Sequence, residues 1–324
     1  MNCIACGGAL RSRWNLDPWR ILACRTCGMG ALDPRPSPEE IAALYRAEDY
    51  YSSHGGSGAE TAPFRDADHP SLWARYFGDH RLAPLERVLG GTGALLDVGC
   101  SAGGLLATAR SRGWHPVVGL ELSPVARRAA REDLRLAVVG TGLDDAAIRP
   151  GSVDAATFFH VLEHVPDPVA ALAQAATLTR PGGLVAVEVP NFRSLAVAVH
   201  RQRYRILLPP YHLWHFTAAA LHHLFTRAGL APVRVFTPYA PQGTSHVVNV
   251  QGAAVRVWHL LRGGRRRGEA SAPPQNSGTA AGPVGARASW VNRFFQGLYW
   301  PFDWAAAYGG VGINLYGIAR TPSR

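Results

Sequence analysis

The sequence predicts an α/β fold built on a mostly parallel sheet, with a small metal-binding module in front of it. Two observations lead to this prediction. Strand-like apolar runs alternate with helical segments between residues 82 and 180, and two Cys-x-x-Cys pairs stand near the N-terminus. Such alternation is typical of a parallel sheet and its crossover helices. At 324 residues the chain is long enough for one large core and a small extra module.

The cysteine pairs predict a zinc site. Cys3 and Cys6 form the first pair and Cys24 and Cys27 the second, with 17 residues between them. Two turns that each present two thiolates can close a tetrahedral site of the ribbon or knuckle type. Because protein fills all four positions, we expect the zinc to be structural. We assign residues 1–45 to this module.

The strands of the larger region are predicted from short apolar runs bounded by turn residues. They cover residues 94–98, 115–120, 135–139, 153–159, 183–189, 232–237 and 313–320. Helices are expected to begin near Gly103, Pro124 and Asp167, with a further helix over 217–228.

Three segments do not follow this alternating pattern of strands and helices. Residues 46–81 are rich in Tyr, Gly, Ser and Asp, and we expect a linker or lid there. Residues 262–288 are poor in bulky apolar side chains, which predicts disorder. The aromatic stretch 290–308 favours core packing, while a substrate cover, a dimer contact and a peripheral membrane contact stay open as alternatives.

The net charge of +10 gives little support to a nucleic-acid partner. The chain contains no lysine, so all 33 basic residues are arginine, as expected of a GC-rich coding bias. Part of the excess also lies in one run, residues 262–268. No segment has the pattern of a signal peptide or of a bilayer-spanning helix, and we expect a cytoplasmic protein.

A glycine-rich loop follows the first predicted strand, in "LLDVGCSAGG". Asp97 stands at the carboxyl end of that strand, Gly99 permits a tight turn, and Gly103 permits close approach of a ligand to the helix start. Ser101, next to Cys100, stands where a dinucleotide fingerprint has its second glycine. This departure weakens a dehydrogenase interpretation.

A second acid narrows the choice of ligand. Glu121 ends the next strand, 24 residues after Asp97, and Leu122 follows it. A carboxylate at this place can accept hydrogen bonds from both ribose hydroxyls of NAD or of S-adenosylmethionine. Asp97 would repel the pyrophosphate of NAD and attract the ammonium and sulfonium of S-adenosylmethionine. The two acids therefore favour S-adenosylmethionine.

With these motifs, residues 94–189 resemble the class I S-adenosylmethionine-dependent methyltransferases. The matching segments, in order, are "LLDVGCSAGG", "GLELSP", "GSVDAATFFHVLEHVPDP" and "LTRPGGLVAVEVPN". The resemblance implies a Rossmann-like seven-stranded methyltransferase sheet, mostly parallel, with an antiparallel last strand. Residues 82–240 would form most of it, residues 241–312 an insertion, and residues 313–324 the last strand and tail.

The resemblance also implies which residues meet the cofactor. Asp97, Gly99 and Gly103 would lie at the methionine end, Glu121 at the ribose, and Asp144 at the adenine amino group. The full expected set is Asp97, Gly99, Cys100, Ser101, Gly103, Glu121, Leu122, Asp144 and His160.

The combination of an N-terminal four-cysteine module with such a domain is similar to the organisation of a subgroup of sugar and small-molecule methyltransferases. That likeness implies that the module and the linker help to cover the substrate. Some members carry a catalytic Tyr-His-Glu-His stretch, and "YHLWHF" at residues 211–216 matches it only in part. Their carbon-methylating chemistry is therefore not implied here.

Histidines are the candidates for a catalytic base. Methyl transfer needs positioning and, for a hydroxyl or carbon acceptor, removal of a proton. His160 after the fourth strand and His212 and His215 further on could take this role, and each could equally have only a packing role. The string "HVLEH" at 160–164 matches a zinc-protease pattern, but a strand-like run precedes it and prolines follow, which leaves no room for the required helix.

We therefore expect an enzyme that transfers a methyl group from S-adenosylmethionine to a small molecule. A sugar, a lipid-linked compound or a secondary-metabolite precursor would fit as acceptor. Two alternatives stay open. One is an RNA methyltransferase that grips nucleic acid through arginines and tryptophans around the cysteines, and the other is a non-catalytic scaffold of the same fold.

Overall fold

A computed structural model describes residues 1–37, 39–41, 43, 76–239 and 301–323 of the chain. Most of the predicted linker, the predicted disordered stretch and the first part of the aromatic stretch lie outside the described residues. Residues 301–308, the end of the aromatic stretch, are helical. None of the helices in the described ranges combines the length and the apolar character that a membrane-spanning helix requires.

The small module forms a four-stranded antiparallel sheet. In spatial order, its strands are β1 (Leu10–Leu16), β2 (Trp19–Cys24), β3 (Gly30–Asp33) and β9 (Trp214–His215). The fourth strand comes from a distant part of the chain, far outside the predicted module. The module therefore shares a sheet with the main domain.

The main domain is a seven-stranded sheet. Its strands are β4 (Leu95–Val98), β5 (Val117–Leu120), β6 (Ala137–Val139), β7 (Val153–Phe159), β8 (Thr179–Pro190), β10 (Ala231–Phe236) and β11 (Asn314–Arg320). They lie in the order β10-β11-β8-β7-β4-β5-β6. β11 runs antiparallel to both of its neighbours, and the pairs from β8 through β7, β4 and β5 to β6 are parallel. The predicted fold class is confirmed.

Helices cover both faces of this sheet. They are α1 (Ala83–Leu89), α2 (Gly104–Ser111), α3 (Pro124–Glu132), α4 (Pro168–Leu178), α5 (Leu195–His200) and α6 (Ala218–Arg227). Side-chain caps set two of the predicted starts, because Ser123 accepts from the Ala126 N–H and Asp167 from the Val169 N–H. A proline follows each cap at the first helical position.

Adjacent residues of β4 face opposite layers of the core, as the two-residue period of a strand requires. Leu95 packs in the layer that includes Leu106, and Leu96 packs in the layer that includes Leu172 and Leu221. The second layer continues into the small module, so the two parts share one apolar core.

Two boundaries differ most from the sequence prediction. β8 begins at Thr179 rather than at 183, because Thr179 pairs with Val153 and Gly182 takes a φ of +74° inside the strand. Residues assigned to the end of the linker form a π-helical turn, Tyr76–Leu82, and Phe77 in it is buried against the domain.

Candidate functional site

Asp97 lies at the carboxyl edge of the sheet, where open α/β sheets bind ligands. It sits opposite Gly119 on β5 and Thr157 on β7, and its Oδ1 atom accepts a hydrogen bond of 2.6 Å from Thr157 Oγ1. Burial raises the pKa of Asp97 to about 7. Since a nearby cation favours the ionised form of a buried carboxylate, the environment of Asp97 suits a positively charged ligand group.

The glycine loop turns through three left-handed positions. The φ angles are +69° at Gly99, +51° at Ser101 and +84° at Gly103, and α2 begins at the next residue. The N–H groups of Gly99 and Cys100 donate to the carbonyl oxygen of Leu120 at 2.8 and 3.0 Å. The loop is therefore fastened to the end of β5, beside the second predicted acid.

Gly103 packs closely against neighbouring elements of the domain. A Cβ atom there would meet Leu136 Cδ1 at 2.4 Å and Ala130 Cβ at 3.1 Å, so the missing side chain faces the protein interior. The glycine is required for its positive φ and for close packing of the loop on neighbouring elements. The predicted approach of a ligand to Gly103 stays a prediction.

The Glu121 side chain links the glycine loop to the loop that follows β5. Its Oε2 atom accepts from the Ser101 N–H at 2.8 Å, and its Oε1 atom accepts from the Ser123 N–H at 2.7 Å. Burial raises the pKa of Glu121, and these two N–H groups oppose that change. Leu122 is 54% exposed, and Asp144 is also exposed.

His160 directly follows β7, the strand that pairs with β4 at Asp97, and has a φ of +59°, in the left-handed region. Its Nδ1 atom lies 3.3 Å from Glu163 Oε1, and its Nε2 atom lies 3.6 Å from Glu188 Oε1. Burial alone would lower the pKa of His160, but the two carboxylates raise it to about 9. The two carboxylates therefore favour the protonated imidazole, which is a poor base.

Glu188 is a site residue that the sequence reasoning missed. It is completely buried in β8 and accepts from Arg81 Nε at 2.6 Å and from Asn314 Nδ2 at 2.7 Å. These partners come from the π-helical turn and from β11. A lone acid inside the apolar run "LVAVEVP" was the only signal of this network in the sequence.

His212 and His215 are both buried near the small module. Burial lowers the pKa of His212 to about 4 and that of His215 to about 3, so both are neutral and only weakly basic. The ring of His215 stacks on Phe192 with a centroid distance of 5.1 Å. These surroundings support the packing roles more than the catalytic ones.

Glu163, His164 and His212 form a second group that could hold a cation. One ligand atom of each lies within 4.8 Å of the others. His164 Nδ1 lies 3.0 Å from the Tyr211 carbonyl oxygen and His212 Nδ1 lies 2.7 Å from that of Ile206. Residues 161–167 contain no helix, so the arrangement is not that of the zinc proteases.

The four cysteines of the module converge as a zinc site requires. Their sulfur atoms all lie within 4.8 Å of one another, with Cys3 Sγ 3.5 Å from Cys27 Sγ and Cys6 Sγ 3.4 Å from Cys24 Sγ. Four thiolates about 2.3 Å from a central zinc have a comparable spacing. The four-sulfur donor set fits zinc.

The two cysteine turns share one backbone pattern. The Gly7 N–H donates to the Cys3 carbonyl and the Gly28 N–H to the Cys24 carbonyl, at 2.8 and 3.0 Å. Both glycines have positive φ, +74° and +76°. The glycine that directly follows each cysteine pair is thus part of the turn that presents the thiolates.

The module is fastened to the main domain by hydrogen bonds. Thr217 Oγ1 donates to the Cys27 carbonyl at 2.6 Å, and the Leu32 N–H donates to the Leu213 carbonyl at 2.9 Å. The Leu213 N–H donates in turn to the Glu163 carbonyl at 2.8 Å. The module therefore supports the loop that follows His160.

The strand order, the glycine loop and the acids at two neighbouring strand ends define an α/β domain of the nucleotide-cofactor-binding class. A family model described as "Methyltransferase domain" matches residues 71–235, just over half of the chain. The chain belongs to this methyltransferase domain family.

Curated relatives match the same region. The ubiquinone biosynthesis O-methyltransferase of Xanthomonas campestris pv. campestris (strain B100) is 37% identical over 141 residues, which cover 41% of this chain and 59% of that protein. The protein of the same name from Thiobacillus denitrificans is 38% identical over 126 residues, 36% of this chain and 53% of its own length. The chain thus spans less than two thirds of these relatives.

Solved structures share the fold at low sequence identity. The [4+2]-cyclase SpnF is 16% identical with a TM-score of 0.51, and the match covers 90% of this chain and 99% of that one. Phosphoethanolamine N-methyltransferase 2 of Haemonchus contortus is 16% identical with a TM-score of 0.50, and the match covers 87% and 60%. Their names differ in chemistry, so the likeness extends to the fold alone.

Proposed function

We propose that the protein transfers a methyl group from S-adenosylmethionine to a hydroxyl group of a small molecule. The observation that carries the proposal is the position of Asp97 and Glu121 at neighbouring strand ends, on either side of a glycine loop, in a chain of the methyltransferase domain family. The cofactor supplies an activated methyl group, and the protein supplies binding and orientation.

Each acid suits one end of the cofactor. Asp97 would accept from the ammonium of the methionine part, which is compatible with its burial because a cation offsets the cost of ionising it. Glu121 would accept from the ribose hydroxyls, since each carboxylate oxygen has acceptor capacity beyond its one backbone N–H. Exposed Leu122 offers an apolar contact for the adenine, and Asp144 stays the candidate for its amino group.

A hydroxyl acceptor follows from the names of the relatives, which are O-methyltransferases of ubiquinone biosynthesis. Such an acceptor must lose a proton, and His160 stands at the same edge of the sheet as Asp97. A positive charge nearby lowers the pKa of an imidazolium, so His160 would release its own proton when the cofactor binds and could then accept one from the acceptor. Glu163 would hold the ring through Nδ1.

The cysteine module would hold a structural zinc ion. Cys3, Cys6, Cys24 and Cys27 leave no open position for substrate or water, so the ion would stabilise the module and the loop attached to it. We do not propose a catalytic role for this zinc ion.

The test is methyl transfer from radiolabelled S-adenosylmethionine to a panel of phenols and polyols, with RNA as the competing acceptor. We expect label in at least one small hydroxylated acceptor and none in RNA. Glu121→Gln should lose the activity, while Glu132→Gln, an exposed acid on α3, should keep it. Label in RNA alone would overturn the proposal.

A further inference from the structure

The chain around the end of β8 has an unusual charge distribution. Residues 191–217 contain four arginines and no acidic residue. Arg193 follows β8, and Arg201 opens a short turn, Arg201–Arg203, that lies against β1 of the module. Arg13 projects from β1 with its guanidinium 4.7 Å from the ring centroid of Phe192. Three arginines from three segments therefore meet on one side of the molecule.

All three arginines are exposed. Within the described ranges, no carboxylate lies within 4.0 Å of Arg13, Arg193 or Arg201. Burial and the positive charges of Arg201 and Arg193 lower the pKa of Arg13, which agrees with their closeness. Like charges that lie close together repel one another in the isolated protein. An anionic ligand would offset this repulsion.

Two exposed aliphatic side chains stand between these arginines in the sequence. Leu195 and Val199 lie four residues apart on α5, and therefore on one face, with 42% and 53% of their surfaces exposed. Exposed aliphatic side chains flanked by arginines are typical of elements that rest on an anionic membrane. We call Arg13, Arg193, Leu195, Val199 and Arg201 the basic surface.

We propose that the basic surface docks the protein on an anionic phospholipid bilayer. The two aliphatic side chains would enter the interface and the arginines would meet lipid phosphates. The surface adjoins the end of β8, so docking would present the site to acceptors held in the membrane. Nucleic acid fits less well, because Trp14 and Phe192, the aromatic rings beneath Arg13, are only 7% and 2% exposed and cannot stack on bases.

The test is co-sedimentation of the full chain with vesicles of phosphatidylglycerol and phosphatidylcholine, compared with phosphatidylcholine alone. We expect binding to the anionic vesicles only. A double variant, Arg193→Gln with Arg201→Gln, should bind about thirty-fold more weakly, from about 1 kcal/mol per arginine. The control, Arg87→Gln with Arg128→Gln, removes the same charge from exposed helical positions on α1 and α3 and should bind like the wild type.

A second pair of changes separates this proposal from loss of folding. Leu195→Ser with Val199→Ser leaves every charge in place, and we expect weaker vesicle binding with an unchanged melting temperature. Equal binding to neutral vesicles, or an equal loss in the Arg87 and Arg128 control, would overturn the proposal. The proposal would also be overturned if the protein binds RNA and the Arg193 and Arg201 changes abolish RNA binding while vesicle binding persists. The test involves no methyl transfer, so it stands or fails independently of the proposed activity.

Discussion

The Nε2 atom of His160 lies 3.6 Å from the Oε1 atom of Glu188, a completely buried carboxylate in the middle of the sheet. Glu188 also accepts from Arg81 and Asn314. One acid therefore joins the end of β7, the last strand and the π-helical turn before α1. We interpret Glu188 as the residue that holds His160 at the edge of the cofactor site.

Glu188→Gln should destabilise the protein by about 3 kcal/mol, because it leaves the Arg81 guanidinium buried beside a neutral group. Urea unfolding measures this change. Arg20→Gln breaks the exposed pair between Arg20 and Asp33 and should cost less than about 1 kcal/mol. Equal losses of unfolding free energy in the two variants would show that the buried pair of Arg81 and Glu188 stabilises the protein no more than the exposed pair.

Cofactor affinity should depend on pH through Asp97. Its pKa is raised to about 7 by burial, and a bound ammonium favours the ionised form, so binding releases a proton below that pH. The affinity should therefore rise with pH, and we expect S-adenosylhomocysteine to bind about tenfold more weakly at pH 6 than at pH 8. Calorimetry at several pH values measures it. Asp97→Asn should bind weakly with no such dependence; a dependence that survives in this variant would point to another group.

Gly103→Ala should cost about 2–4 kcal/mol of folding free energy, because alanine disfavours a positive φ and its Cβ would meet Leu136 and Ala130. Gly142→Ala is the matched control, since no atom lies within 4 Å of a Cβ built there. It should change stability by less than about 0.5 kcal/mol. Thermal unfolding of both variants provides the comparison, and similar losses would refute the packing role of Gly103.

The purified chain should contain one zinc ion, lost on replacement of a module cysteine. Cys3→Ser should reduce the zinc content measured by mass spectrometry, because three thiolates hold the ion less tightly than four. Cys100→Ala should retain it, since Cys100 is the one cysteine outside the group. Full zinc content in Cys3→Ser would contradict the assignment.

The sequence predicts the positions of the strands and of the main acids because local patterns determine them. Apolar runs locate the strands, and turn residues after β4 and β5 locate Asp97 and Glu121. Likewise, the spacing of the cysteines alone predicts their convergence. These features depend on neighbours in the chain, which a sequence shows directly.

The missed features depend on contacts between distant segments. β9 is a two-residue strand whose identity comes only from pairing with β3, about 180 residues earlier. The partners of Glu188 come from residues 81 and 314, and no periodicity links them. The basic surface likewise requires β1 to lie against the turn after α5.

Calorimetric titration with S-adenosylhomocysteine tests whether Asp97 and Glu121 bind S-adenosylmethionine. We expect the wild type and Glu132→Gln to bind equally well. Glu121→Gln should bind about 10- to 100-fold more weakly, as expected for loss of hydrogen bonds to a charged acceptor. No binding by the wild type, or equal binding by wild type and Glu121→Gln, would contradict the account.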